Sequence, residues 1–236
     1  MKSKGTVRVV ITDLDNTLYD WVDLWYKSFK AMLDQLVKES GVAQETLIKE
    51  FKEVHEKHGT SEYAFSIEEL PSLRAKYGEA DLATRFEAAI QSYRSARKEA
   101  MRLYPGTLEV LETAKDSGVL LVGYTESMAF YTNSRLRKLG LDRVLDYVYS
   151  PPDHELPNGK TAKEIRYYPP EYYSLRRTIV RNTPIGELKP NPKVLLGILK
   201  EIGATLSETI YVGDSLMKDV LMAQRAGVKD VWAKYG

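Results

Sequence analysis

Val7-Arg8-Val9-Val10-Ile11-Thr12-Asp13-Leu14-Asp15-Asn16-Thr17-Leu18 sets a β-branched run against a polar loop. The run reads as a buried strand, and the two aspartates follow its carboxyl end. The same layout recurs twice. Val119 to Tyr124 reads as a strand with Thr125 at its end, and Thr209-Ile210-Tyr211-Val212 as a strand followed by Gly213-Asp214-Ser215. Helices are expected over 107–117, 127–139, 192–202 and 216–226, ending at Gly118, Gly140, Gly203 and Gly227. Further strands are expected at 144–149 and 230–232. This alternation predicts an α/β fold, a Rossmann-like parallel sheet with helices on both faces. Ligands in such sheets bind at the carboxyl ends of the strands.

Two stretches break the rhythm. From Trp21 to about Arg102 apolar residues recur at spacings of three and four, with Gly41, Gly59 and Gly78 as punctuation. That is a small all-helical domain inserted after the first strand. Residues 151–182 are rich in proline and tyrosine and read as an excursion outside the sheet. Their basic residues Lys160, Lys163, Arg166, Arg176, Arg177 and Arg181 suit a phosphorylated or aromatic ligand. A flap over the site, a homodimer contact and an unordered loop all fit the excursion.

Composition narrows the function classes. The 236 residues carry 34 Lys and Arg against 33 Asp and Glu, a net charge of +1 that argues against a general nucleic-acid binder. With no cysteine, thiol nucleophiles, disulfides and Cys-ligated metals are excluded, and a reducing cytoplasmic setting fits. No stretch approaches the roughly 20 apolar residues needed to span a bilayer, so no membrane partner is expected. His55 and His58 sit three apart with no third ligand evident, and read as a solvated polar face.

Several residues could carry chemistry. Asp13 and Asp15, two apart, point to the same side and repel unless a cation or a shared proton intervenes. Capping and turn chemistry would use the same residues. Thr125 is either a helix cap or a ligand for an anion. Lys189, in Leu188-Lys189-Pro190-Asn191-Pro192, is either solvated or a cation held by stiff neighbours. Asp214 is a turn residue or an oxygen ligand for Mg²⁺, with Asp219 five residues on.

In this order, Asp13-Leu14-Asp15-Asn16-Thr17-Leu18, Thr125, Lys189 and Gly213-Asp214-Ser215 with Asp219 resemble the haloacid dehalogenase-like (HAD) hydrolase superfamily. Leu103-Tyr104-Pro105-Gly106 and the Lys189 segment look like its subfamily I, with a helical C1-type cap. The resemblance implies a core from 1–19 and 104–236, including the 151–182 excursion, and a cap from 20–103. It implies Asp13 as nucleophile, Asp15 as general acid–base, and Mg²⁺ held by Asp13, Asp15 (through its backbone carbonyl) and Asp214. Thr125, the Glu126 N–H and Lys189 would bind phosphate, with Asp219 in support. Family members that attack carbon lack the second aspartate, so Asp15 favours a phosphatase acting on a small phosphorylated metabolite. A phosphosugar mutase with the same machinery and a non-catalytic binding module are the alternatives. The stretch between Thr125 and Lys189 is longer than in simple members of subfamily I.

Overall fold

β1 (Val9–Thr12) lies inside a six-stranded parallel sheet, seen in a computed structural model that describes residues 6–78, 81–153 and 169–236. Its companions are β2 (Leu120–Tyr124), β3 (Tyr147–Ser150), β4 (Ile179–Asn182), β5 (Thr209–Gly213) and β6 (Lys229–Trp232). The spatial order is β4-β3-β2-β1-β5-β6, every neighbouring pair parallel. The chain runs outward from β1 to β4 and then returns to lay β5 on the other side of β1. That reversal opens a crevice at the carboxyl ends of β1 and β5. Register aligns the exits, because Thr12 lies opposite both Gly123 and Val212. Asp13, Thr125 and Asp214 therefore leave the sheet along one edge.

Two hydrophobic clusters hold this sheet, one on each face. Val9, Ile11, Val122, Tyr124 and Tyr211 pack with Val194, Leu195, Ile198 and Leu199 of helix Pro192–Ile202 and with Met222 and Ala223 of helix Leu221–Ala226. Leu121 and Val148 turn to the opposite face, against Leu111 of helix Thr107–Asp116 and Leu136 of helix Ala129–Lys138. The alternation of Leu121 with Val122 is the period-two pattern of a strand buried on both sides.

β4 corrects the sequence reading, which put all of 151–182 outside the sheet. Ile179–Asn182 pairs with β3 at the sheet edge. Asp142 accepts the backbone N–H groups of Arg176, Arg177 and Thr178 and so fixes the approach to this strand. Arg181 pairs with Glu201 at 2.7 Å. Lys160, Lys163 and Arg166 lie outside the described residues.

The chain forms two compact units, Met1–Trp21 with Met101–Gly236, and Val22–Ala100. The second is helical. Helix α1 (Trp21–Ser40) buries Leu24, Ser28, Met32, Leu33 and Leu36, and α2 (Gln44–His58) buries Leu47, Phe51 and Val54. Between 81 and 100 lie two helices, Leu82–Arg85 and Glu87–Ala100, joined at the buried Phe86. The histidines are also not a solvated face. The ring of His55 lies against Phe29 and Phe51, and His58 stacks on Tyr63 and meets Glu69 at 2.9 Å. Trp25, Phe29, Ile48, Phe51 and His55 line a cavity of about 430 Å³ within this unit. Among the described residues no helix is long and apolar enough to cross a membrane.

Candidate active site

Asp13 leaves β1 with its backbone N–H bound to the Val212 carbonyl of β5. The chain then turns tightly. Asn16 adopts φ of 60°, a left-handed conformation that asparagine tolerates better than most residues, and its side chain accepts from the Trp21 N–H. That turn brings Thr17 back to donate to Asp13 Oδ2 at 3.0 Å. Asp13 is buried, and its other oxygen meets Lys189 Nζ at 2.5 Å.

Lys189 spends all three ammonium protons inside the site, on Asp13, on Asp219 Oδ1 at 2.8 Å and on the Tyr124 carbonyl at 3.1 Å. Burial opposes its charge, but Asp13, Tyr211 and Asp219 outweigh burial and hold its pKa well above the usual lysine value. Asp219 is positioned by a π-helical turn, Leu216–Val220, a rare element that often marks functional sites. Its oxygens accept from Lys189, from the Tyr211 hydroxyl at 2.8 Å and from the Ser215 N–H at 3.1 Å.

Thr125 is buried at the end of β2. Its hydroxyl donates to Asp15 Oδ2 at 3.2 Å and accepts from the Ser127 N–H at 3.0 Å. Helix Ala129–Lys138 begins later than expected, and its first N–H groups are taken by Pro151 and Asp153. The Glu126 carboxylate bridges the backbone N–H of Lys189 and the ammonium of Lys218. Among the described residues no group accepts from the Glu126 N–H.

The arrangement is rich in negative charge. Asp13, Asp15, Asp214 and Asp219 outnumber the buried cations Lys189 and Arg135. Burial pushes the Asp13 carboxyl up to about 7, with Lys189 working against the rise and Asp219 and Asp15 adding to it. Burial and then Asp219 raise Asp214 as well. One carboxylate oxygen each from Asp13, Asp214 and Asp219 lies within 4.8 Å of the others. An all-oxygen donor set with surplus negative charge fits a hard divalent cation. Because Asp219 is already engaged by three donors, Asp13 and Asp214 are the carboxylates best placed to hold it.

The sequence reading missed the partners of Asp15. Tyr19 donates to Asp15 Oδ1 at 2.6 Å, Ser127 to Oδ2 at 2.6 Å, and Arg135 to Oδ1 at 3.1 Å. A signal existed for Arg135. It lies on the same stripe of its helix as Thr132 and Leu136, where a charged residue calls for a buried partner.

A conserved-sequence model of the haloacid dehalogenase-like hydrolases matches residues 10–165 and 172–233, and the chain belongs to that family. It is 23% identical over 233 residues to the glyceraldehyde 3-phosphate phosphatase of Methanopyrus kandleri, across 98% of this chain and 85% of the relative. It is 25% identical over 242 residues to the phosphoglycolate phosphatase of Agrobacterium fabrum, across 100% and 84%. Among solved structures, a 2-haloacid dehalogenase from Pseudomonas syringae superposes with a TM-score of 0.60 at 18% identity, covering 96% of this chain and 86% of that one. This last likeness supports the α/β fold.

Proposed function

We propose that this chain is a Mg²⁺-dependent phosphatase that hydrolyses a small phosphomonoester through an aspartyl-phosphate on Asp13. The observation that carries the reading is the buried Asp13–Lys189–Asp219 network at the carboxyl ends of β1 and β5, with Thr125 and Asp15 beside it. The two phosphatase relatives are named for small phosphate esters, which supports a substrate of that class.

An Asp13 oxygen attacks phosphorus, the bond to the ester oxygen breaks, and that oxygen takes a proton from Asp15. Water then attacks the same phosphorus and passes a proton to Asp15. Phosphate leaves and Asp13 is restored. Thr125, the Glu126 N–H and Lys189 bind the phosphoryl oxygens, and Asp219 and Tyr211 hold Lys189 in place. The Asp13 and Asp214 carboxylates, with the Asp15 backbone carbonyl, would hold Mg²⁺. When bound there, the cation neutralises charge as an anionic nucleophile approaches an anionic phosphoryl group. Phosphoryl transfer asks chiefly for positioning and charge neutralisation, and these residues offer both. The helical unit 22–100 acts as the cap, limiting water access and selecting the leaving group.

The test is phosphate release from p-nitrophenyl phosphate. Release should require Mg²⁺ and stop with EDTA, and Asp13→Asn should lower kcat about a thousandfold or more. Turnover that survives EDTA, or an Asp13→Asn protein at wild-type rate, contradicts the reading.

A further inference from the structure

Arg135 is 2% exposed, on a helix that otherwise packs Thr132 and Leu136 inward. Desolvating a buried guanidinium is costly unless its partners are well placed. The partner that it meets is Asp15. Nη1 donates to Asp15 Oδ1 and to Ser127 Oγ, both at 3.1 Å, and Ser127 Oγ in turn donates to Asp15 Oδ2. Tyr19 and Thr125 supply one further donor to each oxygen. Both oxygens of Asp15 are thus gripped from two sides, and Arg135 is the only cation in the grip among the described contacts.

We propose that Arg135 is a positioning residue that acts through Asp15 and Ser127, fixing the carboxylate that exchanges protons with the leaving oxygen and the attacking water. The inference rests on the phosphatase reading above. It gives Arg135 a specific kinetic signature. p-Nitrophenolate departs without a proton, whereas an alkoxide needs one, so disordering Asp15 penalises alkyl esters most.

The experiment compares kcat and KM for glycerol 2-phosphate and p-nitrophenyl phosphate in wild type, Arg135→Met, Arg135→Lys and Asp15→Asn, and in Arg135→Met combined with Asp15→Asn. Arg135→Met should lower kcat for glycerol 2-phosphate about 100-fold with little change in KM, and the ratio of the two kcat values should move at least about tenfold against the alkyl ester. Arg135→Lys should recover part of that ratio. Once Asp15 is Asn, replacing Arg135 should cost no more on either ester. Equal losses on both esters, or losses that multiply in the double variant, overturn the proposal in favour of a role in stability alone. If Arg135→Met does not fold, Arg135→Lys and Ser127→Ala carry the same ratio test. A wild-type protein inert on both esters overturns the phosphatase reading, and this role falls with it.

Discussion

At Gly213 the backbone passes directly against the Asp219 side chain. A Cβ built there would overlap Cβ and Cγ of Asp219 and come within 2.7 Å of its Oδ2. The obstacle is a short, fully engaged side chain, not the far end of a flexible one. Gly213→Ala should therefore push Asp219 off Lys189 and Tyr211, destabilise the protein by about 1–3 kcal/mol in urea unfolding, and lower kcat more than it raises KM. An unchanged melting curve with full activity would show that Asp219 can move without consequence. Asp214 bears on the cation. Its carboxyl is raised by burial and by Asp219, so removing its charge relieves repulsion where no metal is bound. Asp214→Asn should be at least as stable as wild type in EDTA, and should lose the rise in Tm that saturating Mg²⁺ gives wild type. An equal Mg²⁺-induced rise in both proteins would place the ion elsewhere. The chain positions of Asp13, Thr125, Lys189 and Asp214 were legible because each follows a strand or starts a helix. The grip on Asp15 was not, because Tyr19, Ser127 and Arg135 reach it through the Asn16 turn and across to a helix face.

At the scale of elements, the central strands were readable because burial on both faces makes them continuous apolar runs. β4 was not, since a short and largely exposed edge strand, Ile179-Val180-Arg181-Asn182, shows no apolar alternation and carries a weak signal inside a proline-rich stretch. The π-helical turn at Leu216–Val220 was hidden for a different reason, since its sequence is that of an ordinary helix start and only the fit of Asp219 over Gly213 calls for the extra residue. In the helical unit, the segment after α2 is tied back by Glu69, which accepts from Lys57 at 2.7 Å, meets His58 at 2.9 Å and accepts from Tyr63 at 3.0 Å. Burial alone would raise this carboxyl, but the donors Lys57, His58 and Tyr63 outweigh it and lower it to about 2. A depressed folded-state value means that the stabilisation is fully present above the unfolded value of 4.5 and is lost as pH falls from there toward about 2. Because the group is partly solvated, its worth is about 1 kcal/mol rather than the full linkage value. NMR titration of the Glu69 carboxyl should show a midpoint near 2, and Glu69→Gln should destabilise the unit at pH 7 by about that 1 kcal/mol but not at pH 2. A midpoint near 4.5 would mean that the three donors do not act on it.

At the scale of the whole molecule, the sequence places a helical segment between the first strand and the rest, and the contacts show why such an insertion is tolerated. Among the described residues, both hydrophobic clusters of the α/β unit draw on residues up to Trp21 and beyond Met101 and on none between. The chain leaves that unit after Tyr19 and returns at Leu103, and these two residues form an antiparallel bridge, with the Tyr104 N–H bound to the Leu18 carbonyl beside it. The ends of the insertion are thus pinned together by the unit they interrupt, so closing them costs little additional loop entropy. Every side chain assigned to the chemistry, from Asp13 to Asp219, also belongs to the α/β unit. Replacing 22–100 by a short Gly/Ser linker should therefore leave a protein that unfolds cooperatively and keeps the Mg²⁺-dependent rise in Tm. Its turnover of p-nitrophenyl phosphate should be slower than that of the full chain, and its preference among phosphorylated metabolites should flatten, since the unit proposed to select the leaving group is gone. Circular dichroism melts and a metabolite panel run on both proteins check this. A truncated protein that does not fold would show that the helical unit contributes to the stability of the sheet, and one that folds with its substrate preference intact would move specificity from the cap to the edge of the α/β unit itself.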